Sequence, residues 1–312
     1  MRVVAVAVRA SVVLVAVSIM VFAATELLPS DAAAVRAGGG ATPDELARMR
    51  SEAGLDDPAA QRYLRWLAAM ATGDTGTSLV SGRPVAALVE ARAGATLALA
   101  GAALAVAVPL TALMAWAAGA APRRVRAGAA GAVAGLAAVP QAAFAAGLVA
   151  VFSAALGWLP PVSLVAAGGS PLDRPETLVL PALALAVPAA AYGAGLLGGA
   201  VADALAAPHV ADAVLRGVPR RRVAARHVLP FLLAPAVRVL ATVAGSLLVA
   251  TAVVETVFGY AGLGELLVSA VATRDVPVVQ AVAMLSATVV VGGLAAADAA
   301  AALTDPRSGV PA

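Results

Sequence analysis

Residues 211–230, ADAVLRGVPRRRVAARHVLP, hold five of the 21 basic residues of this chain. His227 lies inside the stretch and His209 just upstream of it. Arginines and imidazoles can hold phosphate groups, acidic surfaces or metal ions. Two histidines are too few for a metal centre on their own, and no metal is expected here. ATP hydrolysis is excluded more firmly: every basic residue is Arg, there is no Lys, and a Walker A loop needs its Gly-Lys-Ser/Thr. Cysteine is absent, which removes disulfides, thiolate nucleophiles and Cys-ligated zinc. No cofactor is expected to be bound by this chain.

Elsewhere, groups able to do chemistry are sparse. Gln141, Tyr192 and Ser246 fall inside apolar runs, where they could line a polar path or make packing hydrogen bonds between helices. Glu26 and Glu255 are expected near the ends of spans, within reach of water, and Asp298 toward the end of the last apolar run. An intramembrane enzyme would need a His pair with a carboxylate, or a Ser with a base, at membrane depth, and nothing supplies either. A secondary, ion-coupled transporter is the main alternative from another class. Such proteins place ionisable residues near the midplane, and these runs almost lack them.

The elements that must carry these residues follow from composition. The 312 residues are 62% hydrophobic and 12% charged, with a mean hydropathy of +0.93, far from the balance of a soluble globular chain. The pI near 10.1 comes with only 4% aromatics, so the arginines are read as obeying membrane topology and no nucleic-acid partner is expected. A bilayer span takes about 20 apolar residues in a helix. The apolar runs predict an all-α, polytopic membrane protein with helices at 10–28, 94–119, 128–157, 177–202, 237–256 and 277–302. The third is expected to be one span, closed by LGWLPPVS (156–163). The first could be a cleaved signal peptide, but its apolar region slightly exceeds the usual length and favours a retained helix.

Arg2 and Arg9, Arg123, Arg124 and Arg126, the 216–226 cluster and Arg307 then share one side. By the positive-inside rule that side, with both termini, is cytoplasmic. Segment 29–93 lies outside, and its TPDELARMR carries a capping box, Thr42 with Glu45, with Pro43 at the first helical position. Two portions are therefore expected: 1–93, an N-terminal helix with an extracytoplasmic segment, and 94–305, a transmembrane domain with a cytoplasmic loop near 203–235.

Within that loop ALAAPHVADAVLR is helix-competent after Pro208, and Asp212 and Arg216 sit in the favourable acid-first i,i+4 order. Gly217 can close this helix in the left-handed conformation, and Pro219 can open the next at its first turn. In the second helix Arg222 and Arg226 oppose Val223, Ala224 and Val228, so it is expected to lie along the membrane surface until Pro230 and Pro235 lead into the fifth span. Such an insert could grip anionic headgroups or dock a cytoplasmic partner. The fixed Gly-x-Pro bend favours docking, since a lipid anchor needs no such geometry.

A helix ending in Gly with Leu-Pro about a dozen residues on, here ADAVLRG (211–217) and LP (229–230), resembles the EAA loop of bacterial ABC importer permeases. HVADAVLRG (209–217), RHVL (226–229) and Pro235 are similar to the dipeptide/oligopeptide/nickel branch of that family. So are LPSD (28–31), GLDDPAAQRYLRWL (54–67), GDTGTSLVSGRPV (73–85), TLALA (96–100), LGWLPPVS (156–163), VVETVFGYAGLGELLVSAVATRDVPVVQ (253–280) and TDPR (304–307). The resemblance covers nearly the whole chain in order. It departs at His209, where Tyr is usual, and at Ala211, Asp212, Ala213 and Val214, where two positive charges are lost and a negative one is gained.

The resemblance implies a type I ABC importer transmembrane domain in the bacterial cytoplasmic membrane, a transport subunit and not an enzyme. It implies a second homologous permease subunit, two ATP-binding subunits that use ATP and Mg, and an extracytoplasmic substrate-binding protein. Short peptides are the default solute, nickel or another small solute the lesser choice. The loop that would couple to the ATPase is then Val210, Ala211, Asp212, Ala213, Arg216, Gly217, Pro219, Arg226 and His227, and the path could include Gln141, Tyr192 and Ser246.

Overall fold

The computed structural model describes residues 2–27, 57–164 and 173–304, with Thr42, Asp44, Glu45 and Arg48 between the first two. LPSD, Pro43 and Arg307 lie outside the described residues, as does most of the sequence before Asp57 in segment 29–93. The helices are α1 (Arg2–Glu26), α2 (Ala59–Ala71), α3 (Val85–Ala120), α4 (Arg123–Ala137), α5 (Gln141–Ala155), α6 (Glu176–Leu205), α7 (Pro208–Leu215), α8 (Arg220–Phe258), α9 (Leu263–Thr273) and α10 (Val276–Thr304). Among the described residues the only β-type pairing is one bridge, Thr77 to Pro84. Five helices are long and apolar enough to cross a membrane, and the α4–α5 pair raises this to six if it is counted as one span.

Three expectations about these helices need correcting. The single helix over 128–157 is two, α4 and α5, bent by 91°. Pro140 sits at the break; it has no N–H to continue the ladder and pushes the residue before it out of helical geometry. The basic helix beyond the elbow is not a separate surface helix, because α8 runs without a break from Arg220 to Phe258. Its turn over Ala224–Val228 widens to a π-helix just before Pro230, which absorbs the missing N–H and the ring. Finally, α3 starts at Val85, ahead of the apolar run, and its Arg92 pairs with Glu265.

Two compact units are built from interleaved parts of the chain, one on residues 98–260 and the other on 7–97 with 261–291. In the first, α6 is central: 67% of its most apolar window is buried, and it packs on α4, α5 and α8. At Gly193 an added Cβ would lie 2.8 Å from Val243 Cγ2 and 3.0 Å from Thr111 Cγ2, so α3, α6 and α8 approach as closely as a glycine permits.

The second unit is held by polar ties as well as by a core of Val85, Leu266, Ala270, Val278, Ala281 and Val282. Buried Asp275 accepts from the Ser78 hydroxyl (2.5 Å) and from the Leu79 N–H (3.0 Å), fixing the GDTGTS loop to the start of α10. Gln280 Nε2 donates to Thr25 Oγ1 at 2.9 Å, and the Leu263 N–H to Thr96 Oγ1 at 2.8 Å. Phe22, Tyr63 and Trp66 cluster where α1 meets α2, Phe22 and Tyr63 edge to face and the other pairs tilted, beside the Glu26–Arg62 ion pair. The capping box is present: the Thr42 N–H donates to Glu45 Oε2 at 2.8 Å and the Glu45 N–H to Thr42 Oγ1 at 3.4 Å. The Thr42 N–H first, and second the Thr42 hydroxyl, which donates to Glu45 Oε2 at 3.0 Å, hold the exposed Glu45 carboxyl below the usual carboxylate range.

Candidate functional site

Between α6 and α8 the chain makes a fixed elbow. Ala207 is extended and Pro208 opens α7 at its first turn, where a missing N–H costs nothing. At the far end Gly217 has φ +76°, its N–H bonds to the Val214 carbonyl (3.0 Å), and the Val218 N–H bonds to the Ala213 carbonyl (3.1 Å). These two bonds form a Schellman closure, so the left-handed glycine expected from sequence is there. Pro219 is the residue before α8 and not its first helical residue; its carbonyl accepts from the Arg222 and Val223 N–H groups at 2.8 and 3.0 Å.

The elbow is anchored from beneath. Val210, Ala213, Val223 and Val228 are buried, while Ala211, Asp212, Arg216, Arg220, Arg221, Arg222 and Arg226 are exposed. Asp212 and Arg216 form the expected ion pair; both partners are more than half exposed, so it contributes only about 0.3–0.5 kcal/mol. His209 crosses to α8, placing Nε2 at 2.9 Å from the His227 carbonyl and its ring centroid 4.8 Å from that of Phe231. His227 is itself half-buried. A neutral His209 with its proton on Nε2, or the imidazolium, can donate this bond, which fixes the angle between α7 and α8.

Sequence reasoning missed the tip. Val214 is 55% exposed and Leu215 87%, so the elbow offers an apolar point on a segment whose Arg216, Arg220, Arg221, Arg222 and Arg226 are also exposed. The available signal was Leu215 next to a helix-ending Arg-Gly pair, at the end of a helix too short to bury both faces. The lock made by His209 was also missed, since it joins residues 18 apart.

The three residues considered for a path are not brought together. Tyr192 is half exposed and lines a cavity of about 660 Å³ with Gly119, Arg126, Val133, Gly195 and Gly199. Gln141 and Ser246 do not line it. Gln141 donates to the Ala184 carbonyl on α6, and Ser246 turns back to the Val243 carbonyl of its own helix at 2.8 Å. Glu255, expected to reach water, is fully buried at 0% exposure. It lies near buried Tyr260, whose phenol is raised well above its usual range by burial first and by the charge of Glu255 second.

Residues 107–310 match the family of binding-protein-dependent transport system inner membrane components, and residues 2–100 match the corresponding N-terminal family. A candidate peptide transport system permease protein of Brucella abortus is 30% identical over 300 residues, covering 95% of this chain and 94% of the relative. A similarly named protein of Brucella suis matches to the same extent. The glutathione transport system permease protein of Salmonella paratyphi A is 34% identical over 274 residues, covering 87% of each chain. The chain therefore belongs to the binding-protein-dependent transport system inner membrane components: it is a permease subunit of an ABC importer, a transport protein and not an enzyme, working with ATPase and binding-protein subunits.

Proposed function

We propose that this chain is one of two permease subunits of an importer of short peptides, and that the elbow around Gly217 is where ATPase subunits take hold. The observation that carries the coupling role is the elbow itself: a Schellman-closed bend, pinned by His209, that presents Leu215 among exposed arginines. An apolar knob on a basic segment fits a groove with an apolar floor and acidic edges. A lipid anchor would require charge and amphipathicity but no fixed bend. ATP and Mg²⁺ are then held by the ATPase subunits, since a chain without Lys cannot form a Walker A loop. Closure of the ATPase pair would move the elbow and, through α6 and α8, the helices beside the path as rigid bodies.

The solute class rests on the relatives named for peptide and glutathione transport, glutathione being a tripeptide. The partner permease is proposed to be a homologous, different chain. Residues 1–93 form the N-terminal helix with an extracytoplasmic segment, 94–305 the transmembrane domain, and both termini face the cytoplasm, as the arginine distribution supports. Purification of the complex through a tag on this chain tests the assembly. Two permeases, ATPases with Gly-x-x-x-x-Gly-Lys loops and a binding protein that retains dipeptides are expected. Recovery of this chain without ATPases would refute the coupling role.

A further inference from the structure

α6 is the element that joins the elbow to the interior of the 98–260 unit, for only Ala206 and Ala207 separate it from α7. It contains two buried prolines, Pro181 and Pro188. Each lacks the N–H that would bond to the carbonyl four residues back, so the carbonyls of Thr177 and Ala184 lose their helical donors. In an apolar interior an unfilled acceptor is costly, and a helix with two such breaks bends readily at both. Here each acceptor is refilled from outside the helix. The Ser163 hydroxyl donates to the Thr177 carbonyl at 2.6 Å, and the Gln141 amide donates to the Ala184 carbonyl. Ser163 is itself buried, and its N–H donates to the Phe258 carbonyl at 2.8 Å, which ties the start of α6 to the end of α8.

The register match is what carries the argument. Two prolines free two acceptors at set positions, and these same two acceptors receive side-chain donors from different elements. Ordinary packing bonds would have no reason to select residues 177 and 184. We infer that Gln141 and Ser163 are positioning residues for transport, clasping the two proline sites of α6 so that it moves as a stiff lever between the elbow and the interior. The lever role rests on the coupling reading of the elbow given above. The clasp rests only on the hydrogen bonds.

A double-mutant cycle tests it. Pro188→Ala restores an N–H for the Ala184 carbonyl, so Gln141 should then be dispensable. Wild type, Gln141→Leu, Pro188→Ala and the double variant are reconstituted as the whole complex, and uptake of a radiolabelled dipeptide is measured per ATP hydrolysed. Gln141→Leu should lower this ratio about fivefold or more, the consequence of one buried acceptor left unmade, while the double variant stays within about twofold of Pro188→Ala. An unchanged ratio in Gln141→Leu, or an equal loss in both backgrounds, overturns the inference.

The same four full-length chains are compared by thermal unfolding in detergent, which needs neither solute nor ATPase. Non-additive shifts between positions 141 and 188 are expected, and additive ones overturn the clasp. Failure of the coupling reading has a separate signature, retention of ATPase by Gly217→Val, and leaves the stability cycle intact.

Discussion

Alanine placed at Gly193 and at Gly195 asks one chemical question at two points on α6. At Gly193 the new methyl would lie 2.8 Å from Val243 Cγ2 and 3.0 Å from Thr111 Cγ2. Carbon atoms in contact prefer about 3.5–4.0 Å, so α6 must shift by about 0.5–1 Å against α3 and α8, or Val243 must leave its rotamer. Overpacking of this kind costs about 1–3 kcal/mol. At Gly195 nothing lies within 4 Å of the added atom. Both substitutions gain the same helix propensity, about 0.8–1 kcal/mol, which cancels in the comparison. The Gly193→Ala chain should therefore be less stable than Gly195→Ala by about 1–3 kcal/mol, which at about 2–4 °C per kcal/mol is a melting difference of several degrees. Thermal unfolding of the two purified chains in one detergent reads it. Equal melting points, or a higher one for Gly193→Ala, would refute the close three-helix approach.

Gly217→Val puts a β-branched residue at φ +76°, at a cost of about 1–2 kcal/mol, and should reduce ATPase retention in a tag purification by about tenfold. Gly217→Asn, which tolerates the left-handed region, should retain it. The capping box gives a pH test. The folded-state pKa of Glu45 is lowered, so its contribution is fully present above the ordinary carboxylate value of about 4.3 and is lost as pH falls through the lowered one. Hydrogen-exchange protection of the Thr42 amide, corrected for intrinsic rates, should hold from neutral pH down to that value and then fall, and Glu45→Gln should abolish the dependence.

What could be read from the sequence was local or set by the solvent. Apolar length located the spans, and Gly217 with Pro219 located the bend, because the left-handed glycine and the proline after it act within a few residues. Thr42 with Glu45 was readable for the same reason. The failures involve partners far along the chain or choices between equivalent local solutions. Pro140 and Pro230 look alike as helix breakers, yet one ends a helix and the other is absorbed by a π-turn. Gln141 was open to two readings, a place on a path or a packing hydrogen bond, and its sequence neighbours could not name the partner, 43 residues away, a carbonyl that Pro188 leaves without its helical donor. Glu255 lies at the end of a span, but packing and not depth decides its exposure.

The chain has no cysteine, so Leu215→Cys introduces a unique thiol at the tip of the elbow. A membrane-impermeant maleimide should label it in inside-out vesicles and not in intact cells, and bound ATPase subunits should block that labelling. Labelling from the cell exterior, or labelling in inside-out vesicles that bound ATPase leaves unchanged, would contradict the assignment of this elbow as the cytoplasmic grip of the motor.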